Sequence, residues 1–131
     1  MMTFQINSEE DISRLRQEVA HLDERRRKLL APLLHPQEMV LGSLYQVYKR
    51  CGNPRCRCAK GEKHGPFSYL SLRVEGKTKL TFVRKEDERW VREQATNYRR
   101  YQKLMAQMRQ IDQKILQILS KIRDSKVKRY S

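Results

Sequence analysis

Apolar residues near the start of the chain recur at alternating steps of three and four, which predicts a helix with a heptad seam. Ser8 is a suitable N-cap, and Glu9, Glu10 and Asp11 follow it, where negative charge favours the helix dipole. Pro36 disfavours helix at the preceding residue, so we expect the helix to end near Leu34. The seam positions, one of them basic, are Ile12, Leu15, Val19, Leu22, Arg26, Leu29 and Leu33.

The same spacing returns in the last third of the chain and predicts a second, longer helix from about Glu86 to Arg123. Its seam positions are Asn97, Tyr101, Leu104, Met108, Ile111, Ile115, Ile118 and Ile122. At 1.5 Å per residue the two helices would be roughly 40 and 57 Å long. We therefore expect the far seam (Ile115, Ile118 and Ile122) to overhang and to need a second chain. A homodimer through the helices follows, with pairing within or between chains left open.

Between the helices the period of the pattern changes to two, which predicts strands. Residues 42–49 form the first, and residues 67–74 and 78–84 form a hairpin around a turn at 75–77. Counting along this hairpin places two sets of side chains on opposite faces. The expected core face holds Leu70, Leu72, Val74, Leu80 and Phe82. The other face holds Phe67, Tyr69, Arg73, Lys79, Thr81 and Lys85, a mixture of rings and cations that suits bases and phosphates. The alternative is that Phe67 and Tyr69 pack around the adjacent loop and shield it.

These elements predict an α+β fold: two long heptad helices, as an antiparallel hairpin or a dimeric coiled coil, flank a small three-stranded antiparallel sheet. By sequence the chain divides into an N-terminal helix (1–41), a basic head (42–85) and a C-terminal helix with a basic tail (86–131).

All three cysteines and one histidine lie in the loop after the first strand, spaced C-x4-C-x-C-x5-H. Cys51, Cys56, Cys58 and His64 make a complete Cys3His set, which suits tetrahedral zinc. The glycines and proline between them allow tight turns. The loop is therefore predicted to be a zinc knuckle, structural because four protein ligands leave no open position.

Two other interpretations of the cysteines remain. Cys51 could form a disulfide with Cys56 or Cys58, whereas Cys56 and Cys58 are too close for an unstrained bridge. A reactive thiol is the other, because Arg55 and Arg57 would lower its pKa. Against it, the sequence offers no base beyond His64 and no orienting carboxylate nearby.

The net charge of +14, from 29 basic and 15 acidic residues, implies a polyanionic partner. Residues 42–85 carry eleven Lys and Arg against two Asp and Glu, a net +9, whereas residues 1–41 carry six against seven, a net −1. The candidate nucleic-acid contacts are Lys49, Arg50, Arg55, Arg57, Lys60, Lys63, Phe67, Tyr69, Arg73, Lys77, Lys79 and Lys85. Arg55 and Arg57 alternate with the zinc ligands and are the best candidates for groove contacts.

Other classes of protein fit less well. No apolar run is long enough to span a membrane, and no signal pattern is present, so a cytoplasmic protein is expected, nucleoid-associated if it binds DNA. Three cysteines without a signal agree with a reducing compartment. The head contains only Glu62 and Glu75 as carboxylates, too few for a metal nuclease, so no enzyme is predicted.

Several of these residues together resemble a family of small prokaryotic proteins classed as a domain of unknown function. The shared residues are Gly42-Ser43-Leu44, Tyr48, Cys51-Gly52, Cys56, Cys58 and His64-Gly65-Pro66-Phe67. The resemblance covers about residues 42–122, with Phe67 where many members have Tyr, and implies a knuckle, a β-hairpin and a coiled-coil helix. The genes of some members look like neighbours of transposase and other mobile-element genes, an association that hints at DNA.

Two functions are therefore weighed. The first is a zinc-stabilised, dimeric nucleic-acid-binding protein, with DNA favoured over RNA. The second is a coiled-coil adaptor that docks a protein partner from mobile-element machinery.

Overall fold

A computed structural model describes residues 9–50, 52–57 and 61–130. Along the chain these form helix α1 (Glu9–Leu34), strands β1 (Ser43–Lys49), β2 (His64–Val74) and β3 (Lys77–Val83), and helix α2 (Glu88–Asp124). The expected α+β class, with two helices and a three-stranded antiparallel sheet, is confirmed. Helix α1 ends at Leu34 as predicted, and Ser8, its expected cap, lies outside the described residues.

Contacts within the chain define two compact units. One comprises the described parts of Met1–Pro36 and Gln102–Ser131, and the other is Gln37–Tyr101. Helix α2 contributes its second half to the first unit and its first half to the second.

The first unit is built on the two predicted seams. Leu22, Ile111 and Ile118 form a buried cluster, which partly buried residues of both helices surround: Leu15, Val19, Leu29, Ile115 and Ile122. Arg26, the basic seam position, places its Nε 2.8 Å from Oδ1 of Asp112. This pair places α1 beside the second half of α2.

The expectation that the far seam needs a second chain was therefore wrong. Ile118 is only 5% exposed within the single chain, because α1 covers it. The length comparison failed because it assumed that α1 begins pairing at the start of α2. That part of α2 belongs to the sheet unit, where Asn97 donates to the backbone carbonyl of Glu38 instead of occupying a seam.

The second unit contains the sheet, in the order β1-β2-β3. The hairpin turn has two residues, because Val74 pairs directly with Lys77. Glu75 and Gly76 both have positive φ, 50° and 77°, as a type I′ turn requires.

This register corrects the predicted faces. Phe82 pairs with Tyr69 and Leu80 with Ser71, so Leu80 and Phe82 lie on the aromatic side of the sheet, both 54% exposed, and not in the core. Lys79 and Thr81 pair with Leu72 and Leu70 and lie on the other side. The sequence analysis counted a three-residue turn, and a slip of one residue moves every side chain of a strand to the opposite face.

The opposite side of the sheet carries two buried residues of this unit, and Val91 and Ala95 of α2 are also buried. Ser68 is 1% exposed and its neighbour across the strands, Val83, is 7% exposed. The Ser68 hydroxyl donates to Oε1 of Glu88 at 2.5 Å, which ties the middle strand to the first residue of α2. A hydroxyl can be buried at little cost when it finds such a partner.

None of the helices in the described part of the chain combines the length and apolar character that crossing a membrane requires.

Candidate nucleic-acid interface and metal site

The cysteine loop leaves the sheet after Lys49 and returns at His64, and these two residues are paired across β1 and β2. Within the loop, Asn53 and Pro54 begin a turn. The backbone N–H of Cys56 donates to the Asn53 carbonyl at 3.0 Å, and the N–H of Arg55 donates to its side-chain Oδ1, also at 3.0 Å. Asparagine followed by proline favours such a turn, because both stabilise its first two positions. The turn fixes where Cys56 lies.

Two of the predicted ligands come together. The Sγ of Cys56, a partly buried free cysteine, lies 2.8 Å from Nε2 of His64. Tetrahedral zinc, with bonds of about 2.3 Å to sulfur and 2.0 Å to nitrogen, would hold these atoms roughly 3.5 Å apart. An ion between them therefore needs a movement of less than about 1 Å, so the pair fits zinc.

The other two predicted ligands, Cys51 and Cys58, lie outside the described residues, as does Lys60. In the described ranges, which thus omit half of the proposed ligand set, no three His, Cys, Asp or Glu residues form a group that could hold a metal ion. The complete Cys3His set stays a prediction.

Gly65, in the shared His-Gly-Pro motif, lies close to the end of β1. Its φ is 140°, and a Cβ there would lie 2.9 Å from both the Val47 carbonyl oxygen and Cδ1 of Tyr48. No other residue fits this space without displacing backbone. Register shifts between Val47 and Lys49, so Gly65 and Pro66 take up an extra residue in β2 beside the loop.

The aromatic side of the sheet carries a row of rings across all three strands. Tyr45 stacks on Tyr69, with centroids 6.2 Å apart and planes at 28°. Phe82 meets Tyr69 edge-on at 5.7 Å. The Lys49 ammonium donates to the Tyr69 hydroxyl at 2.6 Å and lies 5.2 Å from the Phe67 centroid. Phe67, Tyr69 and Lys49, all predicted from sequence, are thus adjacent.

The other predicted cations are distributed around this head. Arg50, Arg55, Arg57 and Lys63 are exposed in the loop. Arg73 is exposed on the aromatic side, whereas Lys77 and Lys79 are exposed on the opposite side. Lys85 lies in a 3-10 turn, Lys85–Asp87, before α2. The predicted set therefore surrounds the sheet and does not line a single face.

These cations differ from those of α1 in their partners. Among the described Lys and Arg residues of 42–85, Arg84 alone forms an ion pair with a carboxylate of the described chain. In α1, by contrast, five of the six Lys and Arg residues are paired, namely Arg14, Arg16, Arg26, Arg27 and Lys28. The positive charge of the head is therefore exposed and uncompensated.

Sequence reasoning missed Tyr45 and Phe82 as members of the aromatic side. The signal was present, because Glu75-Gly76 suits a two-residue hairpin turn and that turn alone sets the correct pairing. It also missed a cavity of about 360 Å³ at the end of the sheet, where His64, Phe82, Lys85 and Glu88 are among the lining residues.

A family model described as a domain of unknown function, DUF6788, matches residues 10–93. The chain belongs to the DUF6788 family. The DUF6788 match begins in α1 and takes in all three strands and the start of α2. It thus starts and ends earlier than the expected 42–122, while the knuckle pattern itself stays a prediction. Neither the curated proteins nor the solved structures gave a match to this DUF6788 chain.

Proposed function

We propose that this chain is a zinc-stabilised nucleic-acid-binding protein, with DNA preferred to RNA. The observation that carries the proposal is the exposed, unpaired charge of the head. Nine described cations there have no carboxylate partner within the described chain, whereas most cations of α1 do. With eleven basic residues against two acidic ones, the head cannot pair most of its cations with its own carboxylates. Unpaired cations instead attract phosphates and release counterions on binding.

Zinc is proposed to hold the loop through Cys51, Cys56, Cys58 and His64. The proposal is supported by the 2.8 Å approach of Cys56 Sγ to His64 Nε2. When bound, the metal would supply structure and not reactivity, because a four-ligand site has no open position. Arg55 and Arg57, on either side of Cys56, would then be held in place by the ion.

The metal site is tested by comparing His64→Ala with His35→Ala, a histidine after α1 with no cysteine nearby in sequence. Purified wild-type protein should carry about one zinc per chain. The chelator concentration that removes zinc from His64→Ala should be at least roughly tenfold lower than for wild type, whereas His35→Ala should behave as wild type. Reduced protein that takes up no zinc would contradict the site.

The same Cys–His contact also suits a thiolate nucleophile and its base. Within the described ranges, however, no Asp or Glu joins Cys56 and His64 in a group of three. Alkylation of Cys56 separates the interpretations, because zinc-bound thiolate should react more slowly than metal-free protein, whereas a reactive thiol would not need zinc removal to react.

Nucleic-acid contact by the loop is tested by replacing Arg55 and Arg57 together with Gln. If each contacts one phosphate, the double variant should reduce the magnitude of the log–log salt slope by about 2. The matched control is Arg14→Gln with Arg27→Gln, which removes the same charge from paired positions on α1. Equal effects of both double variants would indicate a net-charge effect and not a binding site.

A protein adaptor is the second candidate, supported by two apolar residues that α1 leaves uncovered. Leu116 and Leu119 on α2 are 64% and 45% exposed. They would form the contact with a protein partner or with a second copy in the proposed homodimer. Under this function, Leu116→Ala should abolish partner capture and Arg55→Gln should not.

A further inference from the structure

We infer that the aromatic side of the sheet binds single-stranded nucleic acid by stacking bases on its rings, an inference that rests on the proposed function. The aromatic face is defined here by Tyr45, Phe67, Tyr69 and Phe82, with the cations Lys49 and Arg73. The inference specifies a single strand as the ligand, which unpaired charge does not, because charge alone does not distinguish a single strand from a duplex.

The first argument is exposure. The opposite side of the sheet buries Ser68 and Val83, at 1% and 7% exposed, which with Val91 and Ala95 of α2 are the buried residues in the described part of this unit. On the aromatic face, Phe82 is 54% and Tyr45 is 37% exposed. Rings left at the surface on the side of the sheet away from the buried residues are available to a ligand.

The second argument is the arrangement of the rings. Tyr45, Tyr69 and Phe82 lie at directly paired positions on three adjacent strands. They therefore form one row across the sheet, with neighbouring centroids about 6 Å apart, at 6.2 and 5.7 Å. Successive bases of a single strand stack on such rows of aromatic side chains, whatever their sequence.

The third argument is charge complementarity. Lys49 lies against the rings of Phe67 and Tyr69, and Arg73 is exposed further along the same face of β2. Neither has a carboxylate partner in the described chain. Cations on either side of the ring row, along the strand direction, can hold the phosphates of a strand whose bases lie on the rings. In a duplex the base faces are already stacked, so this surface favours an unpaired strand.

The test measures binding of the full-length protein to three labelled ligands of roughly 12 nucleotides, a length within the range of single-strand sites. These are oligothymidylate, its duplex with oligoadenylate, and an abasic backbone with the same number of phosphates. Oligothymidylate should bind at least about tenfold tighter than the abasic strand, and tighter than the duplex. Binding of oligouridylate, measured in the same way, shows whether the protein prefers an RNA or a DNA strand.

Matched variants identify the surface. Phe82→Ala should weaken oligothymidylate binding by about fivefold or more and leave abasic binding unchanged, because it removes one stacking ring. Leu80→Ala is the control, since Leu80 lies on the same strand and face with the same 54% exposure but has no ring. Phe82→Leu keeps an apolar side chain without the ring and should behave like Phe82→Ala.

The outcomes separate this inference from the proposed function. Equal, salt-dependent binding to the abasic strand and to oligothymidylate overturns stacking but leaves nucleic-acid binding standing. Wild-type affinity of Phe82→Leu for oligothymidylate also overturns stacking, and it would indicate an apolar contact of the kind that a protein partner makes. Tighter binding to the duplex than to oligothymidylate overturns it as well. Absence of binding to every one of the oligonucleotides overturns the inference and the proposed function together.

Discussion

Asp87 joins two side chains at the point where the sheet leads into α2. Its Oδ1 accepts from the indole N–H of Trp90 at 3.0 Å, and its Oδ2 accepts from Arg84 Nε at 3.2 Å. The Trp90 hydrogen bond, with the hydrogen bond and charge of Arg84, outweighs desolvation and holds the pKa of Asp87 below its ordinary 3.8. The charged form is thus the one that the folded chain favours.

A lowered pKa fixes the sign of the pH dependence. The carboxylate contacts of Asp87 stabilise the fold above about pH 3.8, and this stabilisation is lost as pH falls through the lower pKa of the folded state. Trp90 is the chain's single tryptophan, so its fluorescence should titrate with an apparent pKa below 3.8. Asp87→Asn should abolish that transition.

Glu86→Gln is the matched control, because Glu86 contacts the same Arg84, at 3.6 Å, but not Trp90. The titration should persist in this variant. A fluorescence transition that survives Asp87→Asn would assign it to another carboxylate and contradict the contact.

Individual site residues were predictable from sequence to different degrees. The approach of Cys56 to His64 was predictable, because thiols and an imidazole in one short loop suit a shared metal ion, while their role as zinc ligands stays a prediction. The ring row was missed because Phe82 joins Tyr69 only when the turn has two residues, and a three-residue turn was predicted although Glu75-Gly76 suits the shorter one. Ser68 was missed because a serine in a strand gives no sign that Glu88 will be its partner.

At the scale of elements, periodicity and residue type predicted the existence of all five helices and strands, although the apolar residues of β3, Leu80 and Phe82, lie exposed on the aromatic side. It did not predict which stretch of α2 pairs with α1. That choice depends on contacts such as Arg26 with Asp112, between residues 86 positions apart. A basic residue in an apolar seam is costly unless it meets a carboxylate, so this pair favours one alignment of the two helices over its neighbours.

The pairing of β1 with β2 depends on the absence of a side chain at Gly65. Gly65→Ala should lower the thermal midpoint by several degrees or more, because its Cβ would meet the Val47 carbonyl oxygen and Tyr48 at 2.9 Å. Gly76→Ala is the control. Gly76 also has a positive φ, 77°, but nothing lies within 4 Å of an added Cβ, so only backbone strain of about 1 kcal/mol is expected.

Both variants would be measured by thermal unfolding at one pH. Gly65→Ala should also weaken zinc retention, since Gly65 follows His64 directly and sets where β2 begins. Equal midpoints for the two variants would contradict the close approach of the strands.

At the scale of the whole molecule, paired and unpaired cations lie in different parts of the chain. The cations of α1 are mostly paired with neighbouring carboxylates, and those of the head are mostly not. Exposed pairs on a helix contribute little to stability, roughly 0.3–0.5 kcal/mol each. Helix α1 holds six basic and six acidic residues, so the +14 of the chain is concentrated in the sheet and the C-terminal segment.

The most direct test of nucleic-acid binding is a salt titration of the wild-type chain with a labelled DNA strand. If about six phosphates are neutralised, the logarithm of the binding constant should fall against the logarithm of salt concentration with a slope near −5. A slope near zero, or no binding at low salt, would contradict the account.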